Sequence, residues 1–410
     1  MRQQMAESLK WQWENSTRKA QKLCGRVPIV KDGFISLYSH PENPVISGLM
    51  RCSSPTACVV CSTRIAIERG QWLSQVFSVA KSRGYSISML TLTVRHKKSN
   101  DLPTLLDSME QAYTNIQGSS SFKILRKDFD ASFIRVTEIT HGKNGWHPHY
   151  HLAIIHRSGF DFSAFTQDMQ RTWCKHIQRQ GLLAPIPEKA VDVVIDASDE
   201  QRAWYLTKAS GMSSLEVTNG KNKVAKGDNL GIWQIHGLAV NGDKSCTNLW
   251  HLYEKAIFKR RIFTMSKGMA DKFAVSLRLD QEIAMDEFKD VPDSADNLHN
   301  EVVEPTRIKF EGVITTKTWI KINKKQLNLE LYNELKKPIP NVQDFLDRNE
   351  LNALLYKPDE IKERHENKQF LTKLLSKAYE TSDPTIFEVY SRALYLADLY
   401  QEAIDAENRF

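Results

Sequence analysis

The chain lacks any run of about 20 apolar residues, so it offers no candidate membrane-spanning helix. Its first residues, MRQQMAESLKWQWENSTRK, lack the apolar stretch of a secretory signal, and a cytoplasmic protein is the expectation. Cysteine is also scarce. Six Cys in 410 residues exclude a disulfide-stapled scaffold and make clustered thiols candidates for metal ligation or apolar burial. No internal repeat and no long low-complexity tract is present, which excludes a solenoid and leaves room for two or three ordinary domains.

What the sequence does have is charge of unequal distribution. The net charge is +7, yet residues 272–410 carry 20 basic against 26 acidic side chains, which leaves +13 on residues 1–271. A polyanion is the expected partner of the basic part. The sign changes across Asp280–Glu304, which holds nine acidic residues and one Lys around Pro292 and reads as an acidic linker. The expected division is an N-terminal region (1–61), a central domain (62–271), the linker (280–304) and a small helical C-terminal domain (305–410). In the last of these, apolar residues recur at helical spacing in Val342–Tyr356, Phe370–Tyr379 and Ile386–Ile404.

Within the central domain, residues 62–84 carry a helical stripe, and Ser86–Val94 reads as a strand. A helix opened by Asp101 and Pro103 follows, then a strand from Phe133 to Thr140. Asn144-Gly145 signals a hairpin with a type I′ turn, joining FIRVTEIT to HYHLAII. Then come a helix around Phe162–Ile177, a strand at Ala190–Ile195, and a helix capped by Ser198 with Gln201 at the capping-box position and ended by Gly211. This order predicts an α+β fold, a mainly antiparallel sheet with flanking helices on one face.

Five of the twelve His fall in His141–His156. On a strand, His149 and His151 project from one face. With Asn144 and Gly145 as central turn residues, Glu138 faces His151 and Thr140 faces His149. Two imidazoles and a carboxylate suit a divalent ion with open positions, with Mg²⁺, Mn²⁺ and Zn²⁺ all compatible. A polar sheet face with hydrogen-bonded His is the simpler alternative. Pro148 cannot donate to the ladder and predicts an edge or an irregularity there, which places His147 behind the ligands. Farther on, Tyr205 and Lys208 are neighbours on a helical surface, so a phenol nucleophile and a cation for phosphate could act on one group. Glu200 and Gln201 lie upstream of them. Alone, Tyr-x-x-Lys is uninformative; its order after the His cluster gives it weight.

As a set, these motifs resemble the HUH endonucleases, and more closely the plasmid rolling-circle replication initiators, the Rep proteins. Leu90-Thr91-Leu92-Thr93 is similar to the family's first motif, RVTEIT with HPHYHLAII to its metal motif, and Trp204–Lys208 to its nucleophile motif. Leu249–Met269 resembles the segment that ends the shared region. The resemblance implies an HUH fold, a ferredoxin-like variant, with His149, His151 and Glu138 holding Mg²⁺ or Mn²⁺ against a scissile phosphate. Tyr205 would attack, giving a 5′-phosphotyrosine and a free 3′-OH, with Lys208 near the phosphate or the metal. Some members carry a carboxylate one turn before the tyrosine. Gln201 stands there in this chain, which leaves Glu200 as a candidate. Origin DNA in single-stranded or hairpin form is the implied partner, with host helicase and polymerase.

Cys52, Cys58 and Cys61 could supply three thiolates to a structural Zn²⁺, with Cys24 or His40 as the fourth ligand; buried thiols are the alternative. Lys255, Lys259, Arg260, Arg261 and Lys267 form a basic band beside Tyr253, Phe258 and Phe263, a candidate track for phosphates and unstacked bases, with a solvated helix face as the alternative. Competing readings are a relaxase or transposase of the same superfamily, a metal-free histidine-triad nucleotide hydrolase, and a non-catalytic DNA-binding protein.

Overall fold

The structure is a computed structural model that describes residues 2–31, 33–41, 44–198, 201, 229–285 and 309–356, with side chains from Glu7 onward. Two N-terminal helices, α1 (Arg2–Asn15) and α2 (Lys19–Leu23), precede the strands β1 (Phe34–Ser39) and β2 (Val45–Ser47). The long helix α3 (Val59–Ser82) leads into β3 (Ser86–Thr93), α4 (Leu102–Gln117) and α5 (Ser120–Asp128). The hairpin β4 (Ser132–Gly142) and β5 (Gly145–His156) follows, then α6 (Phe162–Arg179), α7 (Pro187–Ala190) and β6 (Val191–Val194). After residues 202–228 come β7 (Leu230–Gly231), α8 (Ile232–Val240), α9 (Lys244–Ala256), β8 (Phe263–Met265), α10 (Met269–Phe273) and α11 (Asp280–Met285). The last elements are β9 (Lys309–Thr315), α12 (Thr316–Lys324), α13 (Asn328–Glu334) and α14 (Val342–Arg348).

The main sheet runs β6-β3-β5-β4-β7, with β8 also on β4, and every pairing is antiparallel. Side chains alternate across a strand, and here both alternating sets are apolar. Leu90, Leu92, Tyr150, Leu152 and Ile154 bury with α4 and α6 on one side. Ile87, Met89, Ala153 and Ile155 bury with Trp72, Leu73, Val76, Phe77 and Ala80 of α3 on the other. The sheet is therefore covered on both faces rather than one. The residues of β3 and β5 explain this, because a strand apolar on both sides cannot leave either in water.

Local signals at helix starts behave as their chemistry requires. The Asp101 carboxylate accepts from the Thr104 amide at 2.8 Å, and Pro103 sits in the first turn where its missing N–H costs nothing. Ser198 and Gln201 exchange the two capping-box hydrogen bonds, at 2.8 and 3.2 Å. Ser119, directly after the Gly118 that closes α4, caps α5, its hydroxyl accepting from the Phe122 amide.

Two regions differ from the expected division. Asp280 opens a helix rather than a linker, because Ile283 and Ala284 are buried and both Asp280 carboxylate oxygens accept from the Arg69 Nη2, at 2.7 and 2.8 Å. Only residues 286–304 of the expected linker fall outside the described residues. The C-terminal segment contributes helices, as expected, but starts with β9, which pairs with β1 to complete the small sheet β2-β1-β9. Residues 34–47 and 309–356 thus share one core, built on Ile35, Leu37, Trp319, Leu331 and Phe345. The helical stripes at Phe370–Tyr379 and Ile386–Ile404 lie outside the described residues. Among the described residues no helix is long and apolar enough to cross a membrane.

Candidate active site and thiol centre

The hairpin sets the site. Gly142 pairs with Gly145, so the connection is Lys143-Asn144. Positive φ occurs at Gly145 (89°) and at neither central residue, which excludes a type I′ turn. Gly145 is also needed for space: a Cβ there would lie 3.2–3.3 Å from the Lys98 backbone. The register consequently shifts by two from the one expected. Glu138 faces His149, Thr140 faces His147 and Val136 faces His151. A shift of two preserves the face, since strand side chains alternate with period two. Glu138, His149 and His151 still share a side, that of the α3 core.

Diagonal neighbours complete the arrangement. The His151 Nε2 lies 2.9 Å from the Glu138 Oε2, and the His151 Nδ1 lies 3.2 Å from the Thr91 hydroxyl across β3. The His149 and His151 rings stack with centroids 6.0 Å apart. At Pro148 the strand becomes an edge on one side without being broken: pairing with β3 stops at His149, while pairing with β4 continues to Gly145. His147 therefore stays on the shared face, its ring 4.2 Å from that of His149. Its Nδ1 meets the His96 Nε2 at 2.8 Å. Burial and the neighbouring His96 push the His147 pKa down to about 4, and burial lowers that of His96. Both rings are neutral at pH 7, and neutral imidazole is the form that binds metal.

Thr91 and His96 were not singled out in the sequence. Thr91 was legible as part of a strand motif, but its hydrogen bond depends on β3 lying beside β5. His96 lies 51 positions from its partner, with no local signal. Tyr205, Lys208 and Glu200 lie outside the described residues. Of the expected helix only the capping pair Ser198 and Gln201 is among the described residues, directly after Ala197, which is buried in the α3-side core.

The four cysteines converge. Cys24 ends α2, Cys52 lies in the loop after β2, Cys58 caps α3 and Cys61 sits in its first turn. Their sulfurs all lie within 4.8 Å of one another, with Cys24–Cys61 and Cys24–Cys58 at 3.5 Å and Cys52–Cys61 at 3.8 Å. About 2.3 Å bonds to a tetrahedral Zn²⁺ place sulfurs roughly 3.8 Å apart, so the centre could hold such an ion. Cys24, not His40, completes it. Hydrogen bonds from the other three thiols draw the Cys61 pKa well down, whereas burial pushes Cys58 up. Ile283 and Ala284 of α11 pack on the cluster.

The basic band is only partly as expected. Lys255, Lys259 and Arg261 are exposed. Arg260 is tied down by Asp107 at 2.7 Å and the Ala256 carbonyl at 2.8 Å. Tyr253 is 5% exposed and its hydroxyl donates to the Thr56 carbonyl, so it belongs to the core. Phe263 packs inward beside Trp72, while Phe258 is 51% exposed.

An antiparallel sheet with a His/Glu face, together with a four-thiol centre at the head of the helix covering that face, defines an α+β protein in which, among the described residues, the four thiols lie close enough together to hold a metal ion. The chain belongs to the replication protein family, whose sequence model matches residues 46–308. A relative from Streptomyces lividans named Protein rep is 21% identical over 364 residues, covering 73% of this chain and 78% of its own length. No solved structure matches.

Proposed function

We propose that the protein is a plasmid rolling-circle initiator that nicks one strand of origin DNA and later rejoins it. The observation that carries this reading is the shared face of Glu138, His149 and His151, with Thr91 behind His151. The 2.9 Å between the His151 nitrogen and the Glu138 oxygen is close to the ~3 Å that separates adjacent ligands around an ion with ~2.1 Å bonds. A bound Mg²⁺ or Mn²⁺ would supply Lewis-acid polarisation of the scissile phosphate.

The protein's own residues do the rest. Thr91 fixes the ring of His151, and His96 fixes that of His147, as partners behind ligands do in metal sites. The Tyr205 hydroxyl attacks phosphorus and loses its proton; a P–O bond to the tyrosine forms and the P–O3′ bond breaks, leaving a 3′-OH for a host polymerase to extend. Lys208 offsets charge on the phosphate. Glu200 is the candidate base for the terminating step, and host helicase opens the duplex ahead of the polymerase in the cytoplasm.

The test is conversion of supercoiled plasmid carrying the cognate origin to open circles with Mn²⁺ or Mg²⁺. Cleavage lost in EDTA and in Glu138→Ala supports the reading. Cleavage that survives both contradicts it and favours a metal-free chemistry.

A further inference from the structure

A groove of about 670 Å³ opens between the segment after α1, the turn from α9 into β8, and residues 277–280. Six basic side chains and two acidic ones line it; Glu254 acts electrostatically on Arg18, and neither acid forms an ion pair with Lys259 or Arg261 among the described residues. The Asp280 carboxylate is held by Arg69. Glu254 is fully buried and accepts from the Ser16 hydroxyl, the Thr17 amide and the Thr17 hydroxyl at 2.8–2.9 Å. Those bonds pin residues 16–17, and the next residue, Arg18, places its guanidinium 3.3 Å over the ring of Phe258. The turn that presents Phe258 is held at Lys259 with φ 60°, a left-handed conformation costly for a residue with a side chain. An exposed ring beside a planar cation, flanked by Lys259 and Arg261, is a stacking platform on a phosphate track.

The groove also points at the His/Glu face. Phe263 on its wall pairs with Val136, two residues before Glu138 on the same side of β4, a separation of about 7 Å along the strand. Cys52 and Gln21 also line it, and Cys52 belongs to the four-thiol centre, which thereby adjoins the wall that carries Arg18. We propose that this groove binds the single-stranded DNA flanking the nick, with one unstacked base on the Phe258–Arg18 pair and its phosphates on Lys259 and Arg261. The inference rests on the reading of the protein as a strand-cutting enzyme, but its test does not require cleavage.

The test is a fluorescence-anisotropy titration of the full chain with a labelled oligo-dT strand and an abasic strand of equal length, without added divalent ions. Phe258→Ala should weaken dT binding about tenfold and leave abasic binding unchanged, and Phe258→Trp should restore it. Arg18→Gln should weaken both strands. Equal dT binding by Phe258→Ala and the unaltered protein overturns the proposal, as does an equal loss on both strands. Displacement by polyglutamate as readily as by dT would mean an acidic-peptide site instead. A Phe258 effect without plasmid nicking sinks the nicking reading alone; nicking without a Phe258 effect sinks the groove alone.

Discussion

At the scale of single residues, the site depends on pairs that cross strands. His151 is fixed from two sides, by Thr91 on β3 and Glu138 on β4. Thr91→Val keeps the shape and removes the hydroxyl, so metal-dependent nicking should fall roughly 10–100-fold with DNA affinity unchanged. Raising Mn²⁺ should restore part of the rate; a rate that ignores Thr91 would show that the ring needs no such support. The His and Glu positions were readable from the sequence because period two assigns a strand residue to its face whatever the register. The opposing pairs were not, because Asn-Gly fits more than one turn and the choice depends on φ at the residue before the glycine.

At the scale of elements, the chain is stitched by buried groups that bind helices to one another. His236 is fully buried among Trp11, Trp233 and Trp250, with centroid distances of 4.5–5.6 Å, and among the described residues neither ring nitrogen has a hydrogen-bond partner. It joins α1 to α8 and α9. Burial lowers its pKa from the usual 6.5 to about 3, so the folded state favours the neutral ring. That contribution is complete above pH 6.5 and is lost as pH falls toward 3, at up to about 1.4 kcal/mol per pH unit. Urea titrations between pH 7 and 4 should therefore show His236→Phe losing less stability on acidification than the unaltered protein, and parallel losses would contradict this.

The thiol centre joins α2 to α3 in the same manner. The purified protein should carry about one zinc per chain, and Cys58→Ser should release it and lower Tm by several degrees, read by metal analysis and calorimetry. Full zinc content in Cys58→Ser would remove Cys58 from the ligand set. Cys-x-x-Cys announced this centre, and the fourth ligand was left between Cys24 and His40 because only the fold of α1 and α2 decides it. The caps at Asp101 and Ser198 were legible for the opposite reason, since each bond spans three residues. The pairing of β1 with β9 spans 270 to 281 positions and left no trace in local pattern.

At the scale of the whole molecule, charge asymmetry and groove position describe one surface. The excess of +13 on residues 1–271 predicts binding that weakens steeply with salt. Replacing Lys259 and Arg261 by Gln should reduce the slope of log affinity against log salt by about 1.4 for single strands, and an unchanged slope would remove them from the phosphate track. The charge imbalance was plain in the sequence, but the groove was not. Arg18, Phe258 and Arg278 meet only in the folded chain, and Tyr253, counted with the rings, turned out to serve the core. The proposed reaction passes through a covalent intermediate, which a denaturing gel of the protein incubated with its labelled origin strand and Mn²⁺ would trap, with the modified peptide identified by mass spectrometry. A DNA–protein adduct on Tyr205, absent in EDTA and in Tyr205→Phe, is the expected result; strand cleavage that persists in Tyr205→Phe without any adduct would rule out tyrosine transfer.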